Sequence, residues 1–256
     1  DLRMSRGLGD VYKRQFLWRC GADEAATVCI ERTEGCVVQL FRNAVLVTNR
    51  QPIAFKCRAC GVCCKNVRDS IVLEPLDAYR IVRDKQKNGC TDSADDILWN
   101  MAELKELSPG FHVFVLRTVN DSGMCGMLRD DRCTIYSVRP HTCRLYPFTA
   151  EPCPEEHRIK WYLCTEQPHH FGLGSVTARE WQRKNMSDED EAFWFDECRI
   201  LPELGKLLRS VPENNFQRAE QLIVAYRYLA YDFDQPFLPQ YRDNMLFLKA
   251  MLEKLA

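Results

Sequence analysis

The chain has no apolar run near the eighteen or so residues that a bilayer crossing takes, so no transmembrane helix is expected. Neither sign of charge is in excess: 35 Lys and Arg stand against 36 Asp and Glu, a formal net charge of -1. That balance gives no bulk electrostatic reason to bind nucleic acid or an anionic lipid surface. No Walker sequence, His-Glu-x-x-His or Gly-rich dinucleotide loop occurs, and Gly172-x-Gly174 alone is too little for one. The radical-SAM spacing C-x-x-x-C-x-x-C is missing because Cys60 and Cys64 fit its first step but position 67 is Val67. A zinc ribbon or treble clef that reads nucleic acid wants a second, separate C-x-x-C, and none exists. No apolar stretch before a small-residue cleavage site marks a secretory signal, so a reducing, cytoplasmic setting is expected.

What the chain has in plenty is cysteine: 14 residues of 256. The length suits one large or two small domains, and a 46% hydrophobic content is too high for a disordered chain. Without an oxidising compartment, metal binding or redox chemistry is the more natural use of these thiols than disulfides.

The cysteines divide the chain. Residues 1–15 (DLRMSRGLGDVYKRQ) resemble the translated read-through of a sequencing adapter and are set aside as an artefact without fold. Residues 16–50 form an N-terminal segment whose Cys20, Cys29 and Cys36 match no ligand spacing and read as small buried hydrophobes. Residues 51–176 read as the cysteine-cluster metal-binding domain and 177–256 as a helical region.

Pro75 suits the first turn of a helix that stops at Asn88-Gly89. A second helix is expected from about Ser93 to Leu107, ended by Ser108-Pro109-Gly110. Phe111–Thr118 and Cys133–Tyr136 read as strands, the latter after the polar turn Arg129–Arg132. Thr177-x-x-Glu180 and Ser187-x-x-Asp190 read as capping boxes. Pro202 fits the first turn of a further helix, residues 214–230 a long one, and Met245, Leu248, Leu252 and Leu255 the seam of the last. The fold class expected is mostly α with a small β-hairpin, a metal-organised, loop-rich cysteine core packed by helices.

The chemistry concentrates in Cys57, Cys60, Cys63 and Cys64, a C-x-x-C-x-x-C-C run. A C-x-x-C turn brings two thiolates to one metal, and repeating it lets three converge. Cys63 and Cys64 are adjacent, so their side chains diverge and one faces a second site or bridges. Gly61 relieves the backbone where it wraps tightly. Cys125, Cys133, Cys143, Cys153 and Cys164 offer further thiols, whereas Cys90 and Cys198 stand outside any ligand-like spacing. Two closed zinc sites would use eight thiolates and an iron–sulfur cluster four, so the spacing leaves zinc and iron both open. His169-His170 follows Cys164 closely enough for a mixed Cys/His site, although the cysteines suffice without it. His141 is expected to be solvated.

Phe55-x-Cys57-x-x-Cys60-Gly61-x-Cys63-Cys64, Cys125-x-x-Leu128, Cys133-x-Ile135-Tyr136 and Arg139-Pro140-x-x-Cys143-Arg144-x-Tyr146-Pro147-Phe148 together resemble the YkgJ-type cysteine-cluster family. The resemblance covers roughly residues 55–174 and implies a zinc- or iron-chelating domain. It carries the ligand set Cys57, Cys60, Cys63, Cys64, Cys125, Cys133, Cys143 and Cys164, the last in a Cys-Thr-Glu context where the family usually has one like Cys-Pro-Gly. Cys153 has no counterpart. Tyr136, Arg139 and Arg144 are expected around the ligands, the arginines offsetting thiolate charge.

Three functions follow. The first is a metal-binding module, zinc or iron, that presents a surface to a protein partner. The second is an iron–sulfur-dependent protein-modifying enzyme by analogy with the distantly related flagellin lysine N-methylases. The third is a thiol redox sensor using Cys63-Cys64, disfavoured by the strain of a vicinal disulfide.

Overall fold

A computed structural model of the chain describes residues 44–256 apart from 69, 120, 121, 154, 155, 157 and 166. The adapter-like residues 1–15 and Cys20, Cys29 and Cys36 lie outside the described residues.

The expectation of a mostly α fold with one small hairpin is overturned. The described structure is about 49% helical and 24% strand, and its strands make five small antiparallel sheets. Strands β1 (Ala44–Val47) and β10 (Phe148–Cys153) flank β11 (Arg158–Cys164). Trp161 and Leu163 alternate inward along β11, the period of a half-buried strand. Strand β2 (Ile53–Phe55) pairs with β12 (Phe171–Val176), Phe55 opposite Phe171.

The third sheet replaces half of an expected helix. Helix α1 (Pro75–Lys87) starts at Pro75 and stops at Asn88 as its signals indicate. Helix α2 (Ala94–Met101), however, ends at Met101, and the chain continues as β4 (Ala102–Ser108) beside β5 (Phe111–Leu116). Gly110, at φ 73°, closes a β-hairpin, so Ser108-Pro109-Gly110 is a strand turn and not a helix stop. β3 (Val72–Leu73) pairs on the other side of β5.

Two short ladders present the later cysteines. β6 (Thr118–Val119) pairs with β7 (Met124–Cys125), and β8 (Leu128–Arg129) with β9 (Arg132–Cys133). Asp130 and Asp131 both sit at positive φ (47° and 57°), the signature of a two-residue turn that matches strand twist. The strand expected over Cys133–Tyr136 is shorter than its composition suggested: pairing ends at Cys133, and residues 136–138 form a 3₁₀ turn.

A helical layer follows the short α3 (His141–Leu145). Both capping boxes form, opening α4 (Ala178–Asn185) and α5 (Asp188–Leu208). Pro202 lies inside α5 rather than in a first turn; burial of Phe193, Trp194, Leu201, Leu204 and Leu208 carries the helix through it. The long helix expected over 214–230 is α6 (Phe216–Val224) running into a π turn at Ala225–Leu229. The last helix, α7 (Phe237–Glu253), buries Tyr241, Met245, Leu248 and Leu252 as a single seam.

Two apolar clusters hold these parts together. One runs from Val47, Phe55 and Trp161 to Phe193, Trp194, Tyr241 and Leu252, uniting the first sheet with the helical layer. The other, including Leu73, Val82, Leu98, Phe114, Ile135 and Tyr228, takes in Cys125 and packs against Cys64, Cys133 and Cys143. The layer also buries an ion pair: Arg227 reaches both Glu197 oxygens, at 2.5 and 3.2 Å, and the Tyr241 hydroxyl donates to the same carboxylate.

Removing one partner of a buried pair strands the other charge. Glu197→Ala is therefore expected to lower unfolding free energy by about 3–5 kcal/mol in a urea titration; a loss under about 1 kcal/mol, typical of an exposed pair, would contradict this role.

Candidate metal centre

The C-x-x-C-x-x-C-C run leaves the sheet at Phe55, which is buried among Tyr146, His170, Phe171 and Trp181. Beyond it the backbone turns sharply, with Ala59 and Gly61 at positive φ (51° and 68°). A Cβ on Gly61 would stand 3.1 Å from the Asp131 carbonyl oxygen and 3.3 Å from Leu128 Cδ1. Only glycine meets both demands there, and its absent side chain lets the loop lie directly on the β8–β9 hairpin. The 3₁₀ turn at Val62–Cys64 then places Cys63 and Cys64, with the Cys64 amide donating to the Gly61 carbonyl at 2.9 Å.

This contact gathers thiols from distant parts of the chain. A cavity of about 530 Å³ is lined by Cys57, Cys60, Cys63 and Cys64 from the loop, Cys125 from β7, Cys133 from β9 and Cys143 from α3. Cys164, buried at the end of β11, lies off this cavity in an adjoining recess that it shares with Cys63, Cys64, Cys125 and Cys143. No pair of described cysteines forms a disulfide. Cys90, Cys153 and Cys198 line neither space.

The thiols act on one another electrically. A hydrogen bond from Cys64 brings Cys63 down to about 7 against the opposing effect of burial, with its own backbone amide and Arg139 assisting. The same bond pushes Cys64 up, as do burial and the neighbouring Cys63, Cys143 and Cys125. Burial raises Cys125, with Cys133 and Cys63 adding to it, and burial likewise raises Cys133. One thiolate is thus favoured while its neighbours resist ionising, a set that a thiophilic cation would deprotonate together. The donor chemistry fits zinc or iron.

The three residues expected around the ligands part ways. Arg139 and Tyr136 line the cavity, the guanidinium 3.9 Å from the Tyr136 ring centre, and Arg139 favours the thiolates of Cys63 and Cys133. Arg144 instead engages the helical layer, donating to Asp190 and to the Asn185 carbonyl, each at 2.7 Å. Arg80 reaches Asp190 from α1 at 2.5 Å. Burial disfavours the Asp190 carboxylate, but these two arginines hold its pKa far below the usual range.

Two histidine arrangements complete the picture. Cys60 Sγ lies 3.2 Å from His170 Nε2 and 3.9 Å from His169 Nε2. The Tyr146 hydroxyl stands 3.1 Å from His170 Nδ1. Burial, His169 and Arg58 push His170 below the ordinary imidazole value.

His141 is not solvated but buried, its Nδ1 3.1 Å from both Glu74 and Asp77. Its amide donates to Asp77 at 2.9 Å, and Trp194 Nε1 donates to Glu74 at 3.0 Å. Burial alone would lower His141, but the two carboxylates hold it up at about 9. Asp77 is kept ionised against its burial by His141 and Arg144. Pro75 marked the helix start in the sequence, and the structure adds a Glu74/Asp77 capping box there, but no spacing announces that His141 closes on these carboxylates.

Residues 56–165 match the family model CxxCxxCC, described as "Putative zinc- or iron-chelating domain". The matched span is 110 of the 256 residues, less than half of the chain. The matched span takes in every expected cysteine ligand and ends before His169 and His170. No curated protein and no solved structure matches the chain.

The sign of the His141 effect sets a pH dependence. Its folded value near 9 exceeds the ordinary 6.5, so its stabilisation is complete below about 6.5 and is lost as pH rises through about 9. Chemical denaturation at pH 6, 8 and 10 is expected to show an alkaline decline that is smaller in His141→Gln; equal declines in both proteins would contradict the buried imidazolium.

Proposed function

We propose that the protein chelates zinc or iron through Cys57, Cys60, Cys63, Cys64, Cys125, Cys133, Cys143 and Cys164. The observation that carries this reading is the convergence of seven of these eight thiols, from four separate segments, on one cavity. Such a metal is structural first. It would neutralise thiolates that otherwise repel and tie the loop, the two short ladders and α3 into one unit. A closed thiolate zinc site contributes on the order of 10 kcal/mol in small domains, which suits strands only two residues long. On this reading residues 51–176 are the metal-organised unit and 177–256 the layer that buries it.

The chemistry needs reduced thiols and therefore a reducing compartment, for which the cytoplasm is the natural choice. Among the described residues no helix is long and apolar enough to cross a membrane. The partners proposed are metal ions first and a protein docking on the assembled domain second, with no role for nucleic acid.

A second reading, an iron–sulfur-dependent protein-modifying enzyme, draws on the room in the cavity. About 530 Å³ is within the range of small-molecule pockets and far more than one ion fills. Phe55, Leu116, Ile135 and Trp181 give it apolar walls and Lys184 a cation.

Metal analysis and a visible spectrum of protein purified without oxygen test both readings. Cys133→Ser is expected to lose metal and Cys90→Ser to keep it, and equal content in the two variants would sink the ligand assignment. Zinc in colourless protein fits the structural module, and brown protein with iron and acid-labile sulfide fits the enzyme.

A further inference from the structure

We infer that Cys60, His169 and His170 form a mixed sulfur–nitrogen metal site at the rim of the thiol cavity, separate from the site built on Cys63, Cys64, Cys125, Cys133 and Cys143. The three donor atoms lie within 4.8 Å of one another, close enough to share one ion. This inference rests on the metal-binding reading above and alters it at one point. Cys60 leaves the all-thiolate set and pairs with two imidazoles.

Strand pairing creates the site. The antiparallel β2–β12 ladder sets Phe55 opposite Phe171, so the 3₁₀ turn at Pro168–His170 lands on the loop that carries Cys60, 109 and 110 residues away in sequence. His170 is also oriented for ligation. The tautomer protonated at Nδ1 would donate to the Tyr146 hydroxyl oxygen 3.1 Å away and turn the Nε2 lone pair toward Cys60. A metal-bound imidazole is commonly fixed in this way, its second nitrogen held by a polar group that sets tautomer and ring direction. Edge contacts from Phe55 and Tyr146 brace the same ring.

The donor set selects the ion. One thiolate and two imidazoles make a borderline-soft trio that suits Zn²⁺, and three protein ligands leave the fourth tetrahedral position for water or a substrate atom. Closed structural zinc sites use four protein ligands, so this rim site is the one with exchangeable coordination. Two of its donors lie beyond the span that matches the CxxCxxCC domain.

The test loads the full chain with Zn²⁺ alone under anaerobic conditions and combines zinc content with zinc K-edge X-ray absorption. His169→Ala/His170→Ala is expected to lose about one zinc per chain and the imidazole scattering. Cys63→Ser/Cys133→Ser should lose thiolate-bound zinc and keep the imidazole signal. Unchanged zinc in the histidine variant, with a sulfur-only shell in the parent, overturns the rim site and leaves the thiol reading intact. Unchanged zinc in the cysteine variant overturns the thiol reading instead. Should the double histidine variant lose its far-ultraviolet helical signal, the parent spectrum decides, because a sulfur-only shell there excludes imidazole ligation.

Discussion

Repulsion among thiolates is the constraint on which this protein turns. Seven cysteines line one cavity, and their charges oppose one another: Cys63, Cys125 and Cys143 raise Cys64, Cys63 and Cys133 raise Cys125, and Cys63 raises Cys133. A polypeptide can assemble such a set cheaply only while most of the thiols stay protonated. A divalent or trivalent ion reverses the balance, turning repulsion into shared coordination. The strands that carry Cys125 and Cys133 are two residues long, too short to define their own geometry in water, and on the proposed metal-binding reading an ion would supply what backbone pairing lacks.

The surroundings bring the cysteine-bearing segments next to one another. Gly61 seats the loop on the β8–β9 hairpin, Arg144 ties α3 to α5 through Asp190, and His141 ties it to α1 through Glu74 and Asp77. These ionic contacts are buried and worth much only because each charge is compensated from more than one side. Arg80 and Arg144 share Asp190, and Glu74 and Asp77 share His141. The residue that follows Cys143 thus serves the scaffold, while Arg139, four residues before Cys143, serves the thiols.

How much of this was legible depended on whether the signal was local. The four-cysteine loop, the demand for glycine at position 61, both capping boxes and the start and stop of α1 are short-range patterns, and each appears in the structure where its residues indicate. The β content was not legible in the same way. Ala102–Ser108 carries apolar residues at spacings that a helix also uses, and only its pairing with β5 makes it a strand. Pro202 looked like a helix start because proline suits a first turn, yet tertiary burial on both sides kept α5 continuous. The burial of His141 and the approach of His169 and His170 to Cys60 are contacts between segments 64 to 110 residues apart, beyond any spacing rule.

The most direct test of a metal-organised core is hydrogen–deuterium exchange of the anaerobic, metal-loaded chain before and after treatment with a chelator. Faster exchange after metal removal in residues 57–64 and 124–133, with α5 and α7 unchanged, is the result this account predicts. Identical exchange of the two cysteine-bearing segments in both samples would contradict it, because the segments would then be held by the polypeptide alone.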